Sequence, residues 1–333
     1  MQVFAKTDQG RTREHNEDRF LVADLTRRLA SLQPEVRQHH IGERGSLFVV
    51  ADGMGGAAAG EIASEMATDT IYAHLVKTWN IEPDATPQRF AYRLKEAVEV
   101  ANASIHAHAK AHPDVRGMGT TTTAAGVLAD HLYLTQVGDS RAYLVRGGVA
   151  HQLTKDQSLM QRLVEAGELT EEEAAHSERR NIILQALGPD PKVKVDLTHQ
   201  EVRRGDTLVL CSDGLSGLVK KEEIARIVSA ATDLAAACDE LVALANQRGG
   251  PDNITVVLAR FEGDGLRHSG SEDDVGHQVY PLIDTETSTE PVPVYRGSRP
   301  PVPAKEARGR LVAALLGLLI AAGALAWYLT RSP

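Results

Sequence analysis

Apolar positions in the first 261 residues follow two periods. A spacing of three to four runs through Ala63, Ala67, Ile71 and Leu75, and again through Phe90, Leu94, Val98, Ala101 and Ile105. That spacing predicts helices over Glu61–Trp79 and Pro87–His112, each burying one stripe. Leu234, Cys238, Leu241, Val242 and Ala245 share a third helical face. Short apolar runs rich in β-branched residues predict strands at 46–51 (SLFVVA), 120–128, 131–137, 141–145, 193–197, 207–211 and 254–261. Gly147-Gly148 reads as a hairpin turn into a strand over 149–153. Helices that interrupt runs of hairpin-linked strands indicate a layered α+β fold rather than alternating βαβ units.

The pattern changes at residue 262. From 262 to 310 Gly, Ser, Asp, Glu and Pro dominate and no apolar period survives, so this stretch reads as a flexible linker. The run 311–329, LVAALLGLLIAAGALAWYL, holds no charge. Its length matches the roughly 20 apolar residues that cross a bilayer, and Trp327 and Tyr328 stand where an aromatic belt would sit. Lys305, Arg308 and Arg310 precede it and only Arg331 follows. The expectation is a single transmembrane helix at the cell membrane, with the globular part, residues 1–261, in the cytoplasm.

Composition narrows the partners. The net charge of −9 and the lack of a basic stripe exclude nucleic acid as the main partner. The two cysteines, Cys211 and Cys238, form no metal or redox spacing and read as small buried apolar residues. The N-terminus has no apolar segment of the signal-peptide kind.

Candidate chemistry lies in five acidic motifs at expected strand ends or turns. They are Arg13-Glu14-His15-Asn16-Glu17-Asp18, Asp52-Gly53-Met54-Gly55-Gly56, Gly138-Asp139-Ser140-Arg141, Ser212-Asp213-Gly214 and Asp252-Asn253. Any one Asp-Gly is most simply a turn. Several carboxylates meeting from different strands repel one another unless cations neutralise them. Oxygen ligands suit Mg2+ or Mn2+, and no Cys/His cluster favours zinc. Two such ions can activate a water for in-line attack on a phosphoryl group. The glycines near residue 55 lack the Lys-Ser/Thr of a P-loop.

In this order the segments RTREHNED, VVADGMGG, GMGTTTTAA, VGDSRAYLVRGG, LTKDQSL, NIILQALG, LVLCSDGL and GPDNITVVLAR resemble the metal-dependent protein phosphatases, the type 2C serine/threonine family. The resemblance spans about residues 1–261. It implies a four-layer α-β-β-α sandwich of two mainly antiparallel sheets, with a two-metal centre at one end. It implies that Asp52 bridges both metals and that the Gly53 carbonyl serves the second. Asp213 and Asp252 then complete the first, Glu17 reaches the second through water, and Asp18 steadies that shell. Asp139 resembles the ligand of a third, weaker metal, and Arg13 the phosphate-binding arginine. The implied reaction is one-step hydrolysis of phosphoserine or phosphothreonine in proteins. Position 54 is Met where some relatives carry a His that protonates the leaving group, which leaves that proton to water. The segment from Lys155 to about Asn181 resembles a mobile flap, and Gln157 stands where relatives often have His, with a consequence expected for substrate contacts. His15 is the one histidine inside a motif.

Two other readings remain open at this point. One is a catalytically silent scaffold, which the presence of Asp52, Asp213 and Asp252 disfavours. The other is a small-molecule phosphoesterase, which the scarcity of aromatics for a deep pocket disfavours. The catalytic domain is expected to be monomeric, and a membrane-bound serine/threonine kinase is the expected functional counterpart.

Overall fold

The computed structural model describes residues 1–30, 39–55, 59–268 and 274–282. The strands are β1 (Gln2–Asp8), β2 (Asp18–Asp24), β3 (Leu29–Ala30), β4 (Ser46–Met54), β5 (Gly119–Thr120), β6 (Thr122–Leu128), β7 (His131–Val137), β8 (Arg141–Arg146), β9 (Val149–Gln152), β10 (Asp196–Glu201), β11 (Thr207–Cys211) and β12 (Ile254–Arg260). The helices are α1 (Ala59–Thr78), α2 (Pro87–Ala111), α3 (Leu159–Glu165), α4 (Glu171–His176), α5 (Asp213–Ser216), α6 (Lys221–Ala230) and α7 (Leu234–Gln247). One sheet runs β1-β12-β11-β8-β9. The other runs β10-β7-β6-β4-β2-β3, with β5 paired to the end of β4. Every ladder is antiparallel.

The layering follows from side-chain alternation. On β4, Leu47, Val49 and Ala51 pack under α1 and α2, among Ala63, Ile71, Phe90 and Leu94. Phe48 and Val50 point the other way, into the space between the sheets, where they meet Leu144, Leu208, Leu210 and Val257. On the first sheet Tyr143, Val209, Val256 and Leu258 face α6 and α7. The order is therefore helices, sheet, sheet, helices. Each fully buried Leu, Ile or Phe contributes about 1.5–3 kcal/mol.

Local signals agree with these elements. Pro87 opens α2, with Thr86 as the N-cap accepting from the Arg89 amide at 3.4 Å. Gly147 (φ 58°) and Gly148 (φ 82°) make the β8–β9 hairpin, a turn with positive φ at both central residues. Arg146 and Asp206 form a buried bidentate ion pair, with a 2.6 Å contact.

Three departures from the apolar pattern have a plain physical reason. β1 and β2 are not marked by it, because each carries polar residues at both ends and gains its order by pairing with β12 and β4. The strand expected at 193–197 lies at Asp196–Glu201, where its register is set by β7, Asp196 opposite Gln136 and Glu201 opposite His131. The third departure falls in the stretch read as a linker, 262–310. Its residues 274–282 lie along β10: the His199 amide donates to Gln278 O at 2.9 Å and the Tyr280 amide to Leu197 O at 3.0 Å. The Tyr280 ring meets Tyr133 and His199 edge-on, at 5.3 and 5.1 Å between centroids. Polar composition hid an apolar anchor, Tyr280 and Leu282, that packs on the α1–α2 core. Among the described residues no helix is long and apolar enough to cross a membrane. The expected membrane helix, 311–329, lies outside the described residues.

Candidate metal centre and phosphate cleft

The alternation that builds the core also builds the site. Residues sharing the parity of Phe48 and Val50 face the gap between the sheets, and the next on β4 is Asp52. On β2, Phe20 and Val22 set the same parity, and it leads back to Asp18. Asp18 and Asp52 pair directly in the β2–β4 ladder. Leu208 and Leu210 on β11 lead to Ser212, and Val257 on β12 leads back to Thr255. Where the apolar core ends, one end of the sandwich is thus lined with oxygen atoms. The Ser212 hydroxyl donates to Asp18 Oδ2 at 2.7 Å and accepts from the Thr255 amide at 3.0 Å.

Asp213 follows β11 at the first turn of α5, and Asp252 precedes β12. Burial, then the charges of Asp18, Asp213, Asp139 and Asp252, push the Asp52 carboxyl far above its ordinary range. Burial, with Asp213 and Asp252 adding repulsion, lifts Asp18 to about 7 despite its hydroxyl partners. Burial and then the Asp213 charge lift Asp139 to about 7. Burial and the Asp252 charge raise Asp213. Burial also raises Glu17, against the pull of Arg13.

These groups fit a hard divalent cation. The donors are all oxygen, and the buried Asp18 Oδ1 and Asp213 Oδ1 have no hydrogen-bond partner. Among the described residues no three Asp, Glu, His or Cys side chains close around a single point. An ion of the Mg2+ class keeps several waters and is held through one or two carboxylates. Close backbone approach marks Gly53 and Gly60. A Cβ on Gly53 would strike the Gly60 carbonyl, and one on Gly60 would lie 2.7 Å from the Glu17 carboxyl carbon.

Threonines and one asparagine hold the frame. Thr120 Oγ1 donates to Asp52 O at 2.9 Å, and the Asp52 amide donates to Thr121 Oγ1 at 3.2 Å. Asn253 ties down the loop that carries Arg13. Its amide donates to Gln9 O and His15 O, both at 2.9 Å, and its Oδ1 accepts from the Glu17 amide at 2.8 Å. Arg13 Nη2 lies 2.8 Å from Asp252 Oδ2, so that carboxylate orients the guanidinium.

Of these carboxylates, Asp139, Asp213 and Asp252 line a cleft of about 600 Å3. Arg13, Asp139, Asp213 and Asp252 form its floor, and α3, α4, Arg180 and Asn181 form one wall. That wall is the segment expected as a flap. Its helices are capped locally, by Ser158 at α3 and by a Thr170–Glu173 capping box at α4.

The structure thus gathers Asp18, Asp52, Asp139, Asp213 and Asp252, with Arg13 and Glu17 at the margin and Gly53 between Glu17 and Gly60. Gly56 lies outside the described residues. His15 is exposed, and its backbone carbonyl accepts from the Asn253 amide. Gln157 corrects an expectation: it is buried under the Gly138 turn instead of facing a substrate. The tying role of Asn253 was missed, although its place beside Asp252 at the start of β12 pointed to it.

The sequence profile described as protein phosphatase 2C matches residues 33–252. The chain belongs to the protein phosphatase 2C family. It is 38% identical over 258 residues to the serine/threonine phosphatase stp of Listeria innocua, covering 78% of this chain and 95% of that protein. It is 38% identical over 259 residues to the serine/threonine protein phosphatase PstP of Mycobacterium tuberculosis, covering 45% of that longer protein. Solved serine/threonine phosphatase structures share the fold. The Streptococcus agalactiae serine/threonine phosphatase superposes with a TM-score of 0.68 at 35% identity, over 78% of this chain and 99% of that one. The catalytic domain of PstP in complex with two manganese ions gives 0.63 at 37% identity, over 78% and 98%.

Proposed function

We propose that this protein is a metal-dependent protein serine/threonine phosphatase. The observation that carries the reading is the buried set of mutually repelling carboxylates, with two orphaned oxygens, opening beside Arg13 onto a broad cleft. Asp52, Asp213 and Asp252 would hold one divalent ion, and Asp52, the Gly53 carbonyl and Glu17, with Asp18 behind it, would hold a second. Two Mn2+ or Mg2+ ions, when bound, neutralise these carboxylates and activate water for attack on phosphorus.

The chain's own residues do the rest. Arg13 presents a planar guanidinium to the phosphoryl oxygens, a geometry that lysine does not reproduce. Asp252 holds that guanidinium in place at 2.8 Å. Ser212 and Thr255 fix the orientation of Asp18, which keeps a buried carboxylate turned toward the centre. An open cleft walled by α3 and α4 accommodates an extended phosphopeptide.

The named relatives support this substrate class, since the matched proteins carry serine/threonine phosphatase names over 78% of this chain. The domain division is proposed as a catalytic domain over 1–261 that also carries the packed strap 274–282, a linker from there to residue 310 and a membrane anchor over 311–329, with the catalytic domain on the cytoplasmic side. The charge-free run and the three preceding basic residues support the anchor. Such a tether raises the effective concentration of the enzyme near membrane-bound serine/threonine kinases or their substrates.

Phosphate release from a phosphothreonine peptide by the full chain tests the reading. Release with Mn2+ that is abolished by EDTA and by Asp52→Asn is the expected result. No release under any metal would favour a silent scaffold. Release from free sugar phosphates alone would favour a small-molecule phosphoesterase.

A further inference from the structure

Three consecutive residues at the base of the flap grip the turn that carries Asp139. The Lys155 amide donates to Gln136 Oε1 at 3.0 Å. Asp156 takes the Arg141 guanidinium with both oxygens, through Nε at 2.9 and 3.1 Å and Nη2 at 2.6 Å. Gln157 holds Gly138 from both sides: the Gly138 amide donates to Gln157 Oε1 and the Gln157 amide donates to Gly138 O, each at 2.9 Å. The remaining amide group of Gln157 donates to Asp196 Oδ2 at 2.9 Å. Gly138 has φ 104°, and a Cβ there would lie 2.7 Å from Thr121, the residue that receives the Asp52 amide. Thr121 Oγ1 in turn meets Ser140 Oγ at 2.8 Å. Gly138 and Ser140, which flank Asp139, are thereby held, and Asp139 lines the cleft. The same stretch anchors the flap, because the Leu184 amide donates to Gln157 O at 2.7 Å and the Leu159 amide to Ile182 O at 2.8 Å.

We infer that Gln157, with the Asp156–Arg141 pair, is a positioning residue that aims the Asp139 carboxylate at a divalent cation and ties that aim to the base of the flap. The inference rests on the metal-centre reading above. It assigns Gln157 no contact with substrate, since both of its polar ends are spent on Gly138 and Asp196. A side chain that merely filled space would leave ion binding unchanged when replaced by one of equal size.

Mn2+ binding to the full chain, counted by loss of the free-ion EPR signal through a titration, tests it. The proteins compared are wild type, Asp139→Asn, Gln157→Met, Gln157→Glu and Gln157→Glu/Asp196→Asn, each with its melting temperature in EDTA and its KM for a phosphothreonine peptide. The expected wild-type curve has a weak component that Asp139→Asn removes. Gln157→Met weakens that component about tenfold, the equivalent of about one hydrogen bond, and leaves the tight ions and the peptide KM unchanged. Gln157→Glu does not restore it, because the new carboxylate faces Asp196. The double variant does, because the carboxylate still accepts from Gly138 and the new amide at 196 supplies the donor. A Gln157→Met curve that overlies wild type overturns the inference. So does a uniform loss of tight and weak ions with a lowered melting temperature, or an Asp139→Asn curve without loss of a component. A peptide KM that rises alone would return Gln157 to substrate contact. Wild type that binds no Mn2+ would overturn the metal reading itself, and this inference with it.

Discussion

Asp18 and Asp52 stand directly opposite each other on β2 and β4, two carboxylates paired across one antiparallel ladder where the sandwich core ends. Like charges in directly opposed positions destabilise a sheet. Here the cost is raised by burial and by Asp213 and Asp252 close by. The pair is retained at the expense of the metal-free fold, which is the signature of a site made for cations.

The first prediction concerns pH. Burial and neighbouring carboxylates push Asp18 and Asp139 up to about 7 in the folded chain, against an ordinary 3.8. Between those values the folded state holds more protons than the unfolded one, so stability falls as pH rises. Metal-free protein in EDTA is therefore expected to lose melting temperature from about pH 4 to about pH 7, after allowance for groups that titrate elsewhere. Each pH unit costs up to about 1.4 kcal/mol per group. Asp18→Asn should flatten the slope, and Mn2+ should reverse it, since ions bind the deprotonated carboxylates. Thermal melts across that range, with and without Mn2+, check the sign.

Asp52→Asn should separate function from stability. Removal of the bridging charge is expected to lower kcat by on the order of 10^3, equivalent to about 4 kcal/mol of transition-state stabilisation. In EDTA the same variant should melt at or above wild type, because one of the repelling charges is gone. A variant that lost both activity and metal-free stability would show Asp52 acting as a packing group.

Much of this site was legible in the sequence because strand parity is legible. SLFVVA followed by Asp-Gly places a carboxylate where the buried strand meets water, and the same grammar marks LVLC before Ser212-Asp213. Long-range hydrogen bonds leave no such trace. Asn253 binds Gln9, His15 and Glu17 from more than 230 positions away. The inward brace of Gln157 on Gly138 and Asp196, where a change in substrate contacts is expected, is equally hidden, because nothing local shows that residues 155–157 fold onto residues 136–141. The polar stretch after residue 261 hid Tyr280, whose ring contacts are set by residues on β7 and β10.

Arg13 gives a third prediction. Arg13→Ala should raise KM for a phosphopeptide and lower kcat/KM by about 10- to 100-fold, the range of a lost charge-assisted pair. Arg13→Lys should recover only part of this, because a point charge cannot bind two phosphoryl oxygens at once. Steady-state kinetics on one phosphothreonine peptide distinguish the three proteins.

The strap at 274–282 should be part of the stable domain. A chain ending at residue 261 exposes the β10 edge and the Tyr133 ring, whereas one ending at 282 keeps both covered. The shorter chain is expected to be less stable by about 1–3 kcal/mol, less than the roughly 3–5 kcal/mol for losing a fully buried aromatic because Tyr280 is half-buried, and to aggregate more readily through its open edge. Equal urea midpoints for the two chains would show that the strap contributes nothing. Tyr280→Ala in the longer chain should give most of the same loss.

Asn253 carries the last prediction. Its side chain makes three hydrogen bonds to the backbone of the loop from Gln9 to Glu17. That loop brings Arg13 to Asp252 and Glu17 to Gly53, and no strand holds it between Asp8 and Asp18. Asn253→Ala removes all three bonds and leaves two carbonyls and an amide to find water. With about 1 kcal/mol for each bond, the expected loss of stability is about 2–3 kcal/mol. The functional loss should exceed what that figure implies at temperatures where the variant is fully folded, because a small displacement of a positioned group slows chemistry far more than it unfolds a protein. Asn253→Asp separates the two effects. It keeps the acceptor for the Glu17 amide but loses both donors and adds a charge beside Asp252, so it should be as unstable as Asn253→Ala in EDTA and regain more stability than Asn253→Ala on addition of Mn2+. Urea melts with and without Mn2+, alongside kcat/KM at a temperature well below each midpoint, decide the case. An Asn253→Ala protein with wild-type kcat/KM under those conditions would show that Arg13 and Glu17 need no such tie.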